Sequence, residues 1–170
     1  VTTAGFRDVL EIGRQNRPDI YDFQAEKPRP IVQRDHRFEV TERLDERGRV
    51  RTSLDERDVD TLVEPLGEAD VDSVAVALLF AFENDAHERR VAERLGEADL
   101  DVDLSLSSVV LPEIREYERT LVTALDAALK PVVDRYLGRL QSALEDRSVP
   151  ADLEIMQSNG GLGTAAAARE

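Results

Sequence analysis

The sequence predicts an α/β fold, a mostly parallel or mixed sheet flanked by helices, with a β-hairpin near the N-terminus. Three observations carry this. Ser73 to Phe82 is nearly unbroken apolar, the mark of a strand covered on both faces. Strand-like and helix-like periods alternate after residue 55, and strand–helix–strand units with short links imply right-handed crossovers and parallel pairing. Finally, the run Leu153-Glu154-Ile155-Met156 stops abruptly at Gln157-Ser158-Asn159-Gly160-Gly161, ahead of an alanine-rich, helix-forming segment. A strand that delivers a loop to a ligand-binding sheet edge reads this way. The plain alternative is a strand-to-helix turn.

Taken in order, residues 3–15 read as a short helix after an extended start, with Phe6, Val9, Leu10 and Ile12 on one side. Residues 16–30 hold three prolines and mixed charge and read as a loop. Residues 36–54 alternate apolar and polar around Asp45-Glu46-Arg47-Gly48, so Phe38, Val40 and Leu44 should face Val50, Thr52 and Leu54 in a hairpin. From Asp55 the period becomes helical through Val59, Leu62, Val63 and Leu66, with Pro65 expected to kink or shorten the helix. After the apolar strand, Asn84 offers an N-cap for a helix running to about Ala98. Val102 to Val110 reads as a second strand. Pro112 suits the first turn of the next helix, where Glu113 and Glu116 complement the dipole. That helix continues through Leu121, Leu125, Leu129 and Leu137 to about Leu144, with a kink or a break expected at Pro131. Residues 151–156 return to strand. The expected organisation is one α/β domain over 1–170, with the hairpin at 36–54 and a βαβαβ stretch at 72–157.

Composition narrows the function classes. Asp and Glu number 36 against 22 Lys and Arg, for a net charge of −14 and a pI near 4.6. Such a surface repels phosphate backbones, which argues against nucleic-acid binding. The acids interleave with apolar residues, so this is not a disordered tail. Lys27 and Lys130 are the only lysines; abundant carboxylates with so little lysine suggest adaptation to high salt, where screening removes self-repulsion. There is no cysteine, hence no disulfide and no thiolate ligand or nucleophile. No apolar run approaches the ~18 residues of a membrane span. The expectation is a soluble, cytoplasmic protein.

Among chemistry-bearing residues, Arg115 and Arg119 fall at i and i+4 of a helical pattern, with Glu116 beside Arg119 at i+3 and Glu118 pointing elsewhere. At a helix start beside a strand end they could orient a polar substrate; the alternative is a surface ion-pair ladder. His36 and His87 are the only histidines and neither has a partner at metal-ligand spacing, so no metal site is expected. His87, with Glu83 and Glu88, reads as ordinary helix-start polarity. Ser105, Ser107 and Ser108 lack the Gly-x-Ser-x-Gly context of a nucleophile elbow.

Three tracts share their order and spacing with a known family: Gly5-Phe6-Arg7-Asp8-Val9-Leu10-Glu11-Ile12-Gly13-Arg14-Gln15-Asn16-Arg17-Pro18, Arg115-Glu116-Tyr117-Glu118-Arg119-Thr120, and Met156-Gln157-Ser158-Asn159-Gly160-Gly161. In these the chain resembles the hydantoinase A/5-oxoprolinase family of ATP-dependent amidohydrolases, with relatives among acetone and acetophenone carboxylase subunits. The resemblance implies an actin/sugar-kinase-like enzyme that opens a cyclic imide or lactam, of the N-methylhydantoin or 5-oxoproline type, after ATP phosphorylates the amide oxygen. It implies ATP and Mg in the full-length enzyme and a hydantoinase B-type partner subunit. The family's two Asp-x-Gly-Gly-Thr phosphate loops match no position here, so the chain reads as an internal fragment with no nucleotide of its own. On this reading Ser158, Asn159, Gly160 and Gly161 line the cleft, Arg115, Glu116 and Arg119 support it, and no catalytic residue is assigned. The alternative is a non-catalytic structural or interface module of a carboxylase or hydantoinase complex.

Overall fold

A computed structural model describes residues 1–16, 19–22, 24–69, 71–98, 100–149, 153–156 and 160–164. It divides into two units, 1–127 and 128–170. The first opens with strand β1 (Thr2–Thr3) and the short helix α1 (Val9–Ile12), followed by strands β2 (Glu39–Val40), β3 (Arg43–Leu44) and β4 (Val50–Thr52). Helices α2 (Glu56–Asp60) and α3 (Val63–Glu68), strand β5 (Ser73–Val76), helix α4 (Ala86–Glu97), strand β6 (Asp103–Leu106) and the single-turn helix α5 (Ser107–Val110) come next. Helix α6 (Glu116–Asp146) begins in this unit and ends in the second, which adds β7 (Glu154–Met156) and β8 (Leu162–Thr164).

The parallel character expected of the sheet is present, with β1 at its centre. β1 pairs in parallel with β2 through Thr2–Glu39 and Thr3–Val40, and Thr2 also bridges to Ala77 in parallel. β5 and β6 are parallel from Ser73–Asp103 to Val76–Leu106. Linked in the order β2–β1–β5–β6, these strands end on one edge. Val40, Val59, Leu62, Leu66, Val74, Val76, Leu78, Val91 and Leu95 form the core between strands and helices.

Several elements depart from expectation for identifiable reasons. The hairpin keeps its turn, since Gly48 takes φ +69°, but it is shorter than 36–54: Arg43 pairs with Thr52 and Leu44 with Val50 around an irregularity. Val40 is drawn instead to β1, where parallel pairing buries it completely. The apolar run at 73–82 is half strand and half buried loop, a distinction that periodicity cannot make. Residues 107–110 are helical and do not extend β6, and Pro112 precedes α6 rather than opening it. Pro65 falls in the first turn of α3, where a missing N–H is harmless. The N-cap of α4 is Asp85, not Asn84; Asn84 stands one residue earlier, where its Oδ1 accepts the Ala86 N–H at 3.1 Å.

α6 runs unbroken for 31 residues with Pro131 inside it, although that proline leaves the carbonyl of Ala127 without its usual donor. In the second unit, β7 does not read as a third parallel strand. It pairs antiparallel with β8, Glu154 opposite Thr164 and Met156 opposite Leu162. Residues 154–156 of the tract are therefore one arm of an antiparallel pair with 162–164; Gln157, Ser158 and Asn159 lie outside the described residues.

Candidate functional site

Parallel α/β sheets bind ligands beyond the carboxyl ends of their strands, and in the first unit this edge gathers a buried polar group. Thr3 ends β1, Glu42 follows β2, Leu78 and Leu79 follow β5, and Ser107 and Ser108 follow β6. α4 brings His87 and Glu88 to the same edge in its first turn, and α6 brings Arg119 in its own. Thr3, Glu42, His87, Glu88, Ser107 and Arg119 are all buried.

Their hydrogen bonds form two connected sets. In the first, the Thr3 hydroxyl donates to Glu42 Oε1 and accepts the Leu79 N–H at 2.9 Å. The other oxygen of Glu42 meets His87 Nδ1 at 2.7 Å. In the second, Glu88 accepts from Leu78 N–H at 2.9 Å, from the Ser107 hydroxyl at 2.6 Å and from Ser108 N–H at 2.8 Å. Arg119 closes the arrangement by donating to the carbonyls of Leu78 at 2.9 Å and Glu113 at 3.0 Å, with its guanidinium 5.1 Å from the centre of the Phe82 ring. Burial pulls the Arg119 pKa down from its ordinary value, and the charges of Glu88 and Glu116 oppose that shift.

These side chains exist where they do because the loop after β5 is buried. Its backbone N–H and C=O groups lie away from water and must find partners in the protein. Thr3, Glu88 and Arg119 supply them, and so hold Phe80 at φ +59°. An aromatic residue rarely adopts that conformation, and such strain concentrates at functional positions. The loop is also tethered from the β3–β4 turn, where Asn84 Nδ2 donates to the Gly48 carbonyl at 2.8 Å.

Of the residues singled out from the sequence, Arg119 sits in this cluster. Arg115 is exposed, with φ +84°, and stands before α6 rather than on a helical face with Arg119. Its carbonyl accepts the Arg119 N–H at 3.1 Å. Glu116 opens α6 half-buried and acts on Arg119 through its charge. Glu118 does point elsewhere, to Arg14 at 2.7 Å. Its own backbone N–H, with Arg14, holds its carboxyl below the usual carboxylate range. That pair joins two of the family-like tracts, as does Tyr117, whose ring would lie 3.6 Å from a Cβ placed on Gly13. In the second unit, Gly160 takes φ +84° with open space where a Cβ would sit. Gly161 precedes β8 and is exposed. Ser158 and Asn159 lie outside the described residues.

Sequence reasoning missed His87 and Glu88. A His–Glu pair at a helix start reads as solvated polarity, and the partner Glu42 lies 45 residues away. Among the described residues no group of three or more His, Asp or Glu could hold a metal ion, and no helix is long and apolar enough to cross a membrane.

Two family regions match the chain: the hydantoinase/oxoprolinase N-terminal region over residues 1–98 and the hydantoinase/oxoprolinase region over residues 119–170. An uncharacterized protein of Methanocaldococcus jannaschii is 38% identical over 95% of this chain and 24% of its own length. The caprolactamase subunit alpha of Pseudomonas jessenii is 31% identical over 99% of this chain and 24% of its own. The crystal structure of the ATP-dependent caprolactamase from Pseudomonas jessenii superposes with a TM-score of 0.88 at 31% identity, covering 96% of this chain and 24% of that one. The chain thus spans about a quarter of the length of these relatives.

Proposed function

The chain belongs to the hydantoinase/oxoprolinase family, and from that premise we propose that it is part of an ATP-dependent amidohydrolase that opens a cyclic imide or lactam. The observation that carries this reading is the likeness to the ATP-dependent caprolactamase, which extends over 96% of the chain. The N-methylhydantoin or 5-oxoproline class of substrate fits the same premise, as does a hydantoinase B-type partner subunit in a cytoplasmic, actin/sugar-kinase-like enzyme.

We infer that this chain does not itself cradle the nucleoside triphosphate. A phosphate cradle needs clustered backbone N–H groups and, for magnesium, carboxylates. The sequence has no Asp-x-Gly-Gly-Thr loop, and among the described residues no group of three or more His, Asp or Glu could hold a metal ion. Nucleotide handling belongs, on this reading, to other parts of the longer protein. This segment contributes substrate-facing structure: Ser158, Asn159, Gly160 and Gly161 as cleft-lining candidates in the second unit, and Arg115, Glu116 and Arg119 in the first. The open left-handed backbone at Gly160 supports that role, since a ligand can approach a glycine there more closely than any other residue.

The test is turnover by the full-length protein purified with its partner subunit. Ring opening of 5-oxoproline, hydantoins and caprolactam is followed together with ADP release. ADP formation that depends on a cyclic amide and matches ring opening supports the assignment. ADP release that no cyclic amide stimulates refutes it.

A further inference from the structure

We propose that His87, oriented by Glu42, is a general base and acid for attack of water on the carbonyl carbon of the cyclic amide. The inference rests on the function proposed above and adds a catalytic residue to it.

The geometry is that of an imidazole–carboxylate pair. Glu42 Oε2 lies 2.7 Å from His87 Nδ1. The Glu42 side chain has no exposed surface, and that of His87 is 11% exposed. Glu42 is itself fixed, since its second oxygen accepts the Thr3 hydroxyl. A carboxylate facing Nδ1 makes that nitrogen the donor, which leaves the lone pair on Nε2. This is the tautomer and orientation in which histidine takes a proton from water. The carboxylate also stabilises the imidazolium that forms.

The surroundings bear on the choice. Within the buried network, Glu42, Glu88, Ser107 and Thr3 have essentially no exposed surface, and the His87 imidazole, at 11%, is the least enclosed of these side chains. Within this network the carboxylates of Glu42 and Glu88 lie with the guanidinium of Arg119, and the Glu42 carboxylate directly faces a positive charge that appears on His87. The location, beyond the carboxyl ends of β1 and β2, is where α/β sheets present ligands.

The step balances simply. On the O-phosphorylated amide, the water oxygen bonds to the carbon, its O–H proton passes to Nε2, and the C=N π pair moves to nitrogen, which then takes that proton. As the C–N bond of the tetrahedral centre breaks, His87 relays the hydroxyl proton to the departing nitrogen, leaving an acyl phosphate that a second water hydrolyses to carboxylate and phosphate.

The experiment uses the full-length protein with its partner. His87→Asn retains a donor at the Nδ1 position for Glu42 and removes the base. The expected result is an unchanged melting temperature, an unchanged KM and a kcat lower by roughly 10²–10⁴-fold. In His87→Ala, added imidazoles should restore turnover in order of their basicity, which simple refilling of a cavity would not do. Turnover of His87→Asn within threefold of wild type overturns the inference, and so does rescue that is independent of basicity. A wild-type protein that opens no cyclic amide overturns the proposed function, and this inference with it.

Discussion

Replacing Glu88 by glutamine tests the idea that one buried carboxylate organises the carboxyl edge of the sheet. Glu88 is 0% exposed. Leu78 N–H and the Ser107 hydroxyl share Oε1, and Ser108 N–H reaches Oε2. Glutamine preserves volume and can keep its oxygen at the first position, but its NH2 group then opposes the Ser108 N–H. The lost bond is charge-assisted, worth about 1.5–3 kcal/mol, and leaving a buried donor unsatisfied carries a penalty of about 1–3 kcal/mol. These figures overlap rather than add, so a net loss of about 2–4 kcal/mol is expected. Arg119 also loses the charge that opposes the effect of its burial. For a chain of this size each kcal/mol lowers the melting temperature by roughly 2–4 °C, so the drop should be roughly 4–16 °C. Urea unfolding should show a lower midpoint with an unchanged slope, since the surface exposed on unfolding is the same. Ser107→Ala combined with Glu88→Gln should give a coupling energy of at least about 0.5 kcal/mol. A loss below about 0.5 kcal/mol for Glu88→Gln, or strict additivity with Ser107→Ala, would refute the reasoning.

Further outcomes follow from other residues. Burial alone would raise the Asp45 carboxyl, but the N–H groups of Arg49 and Arg47 and the Arg49 guanidinium outweigh it and lower its pKa to about 2. Its contribution to stability is therefore complete above an unfolded pKa of about 4 and is lost as pH falls toward about 2; Asp45→Asn should flatten acid unfolding in that window. Gly48→Ala should cost about 1–3 kcal/mol, because φ is +69° and the new Cβ would lie 3.0 Å from Asn84 Cβ and 3.1 Å from the Glu83 carbonyl; an unchanged unfolding midpoint would contradict this. We infer from the net charge of −14 that the melting temperature rises with NaCl beyond ~1 M, where the Debye length is ~3 Å; a flat or falling series removes the high-salt reading.

What the sequence disclosed depended on whether the determining contacts were local. The β3–β4 turn was legible because Asp45-Glu46-Arg47-Gly48 carries its own turn chemistry. Pro65 was legible as a disturbance, though it became a tolerated first-turn residue once the helix divided. The buried loop after β5 was not legible, since Ala77, Leu78, Leu79 and Ala81 are as apolar as any strand. What distinguishes them is the set of partners for their backbone groups, on Thr3, Glu88 and Arg119. Arg119 emerged from the sequence through resemblance to a family, whereas His87 and Glu88 were lost to a reading of surface polarity. The hairpin β7–β8 was not legible, since Leu162-Gly163-Thr164 is too short a run to announce a strand, yet it pairs back on Met156, Ile155 and Glu154.

The central position of β1 has a consequence for biosynthesis. Thr2 leaves the ribosome before both of its neighbours. Its partner Glu39 follows 37 residues later and the bridge residue Ala77 follows 75 residues later. At roughly 5–20 residues per second, the second edge of β1 stays unpaired for roughly 4–15 s. Native pairing of this kind raises contact order and slows the search for the fold. Translation speed and chaperone supply should therefore govern the yield of soluble protein, more than anything in the finished sheet.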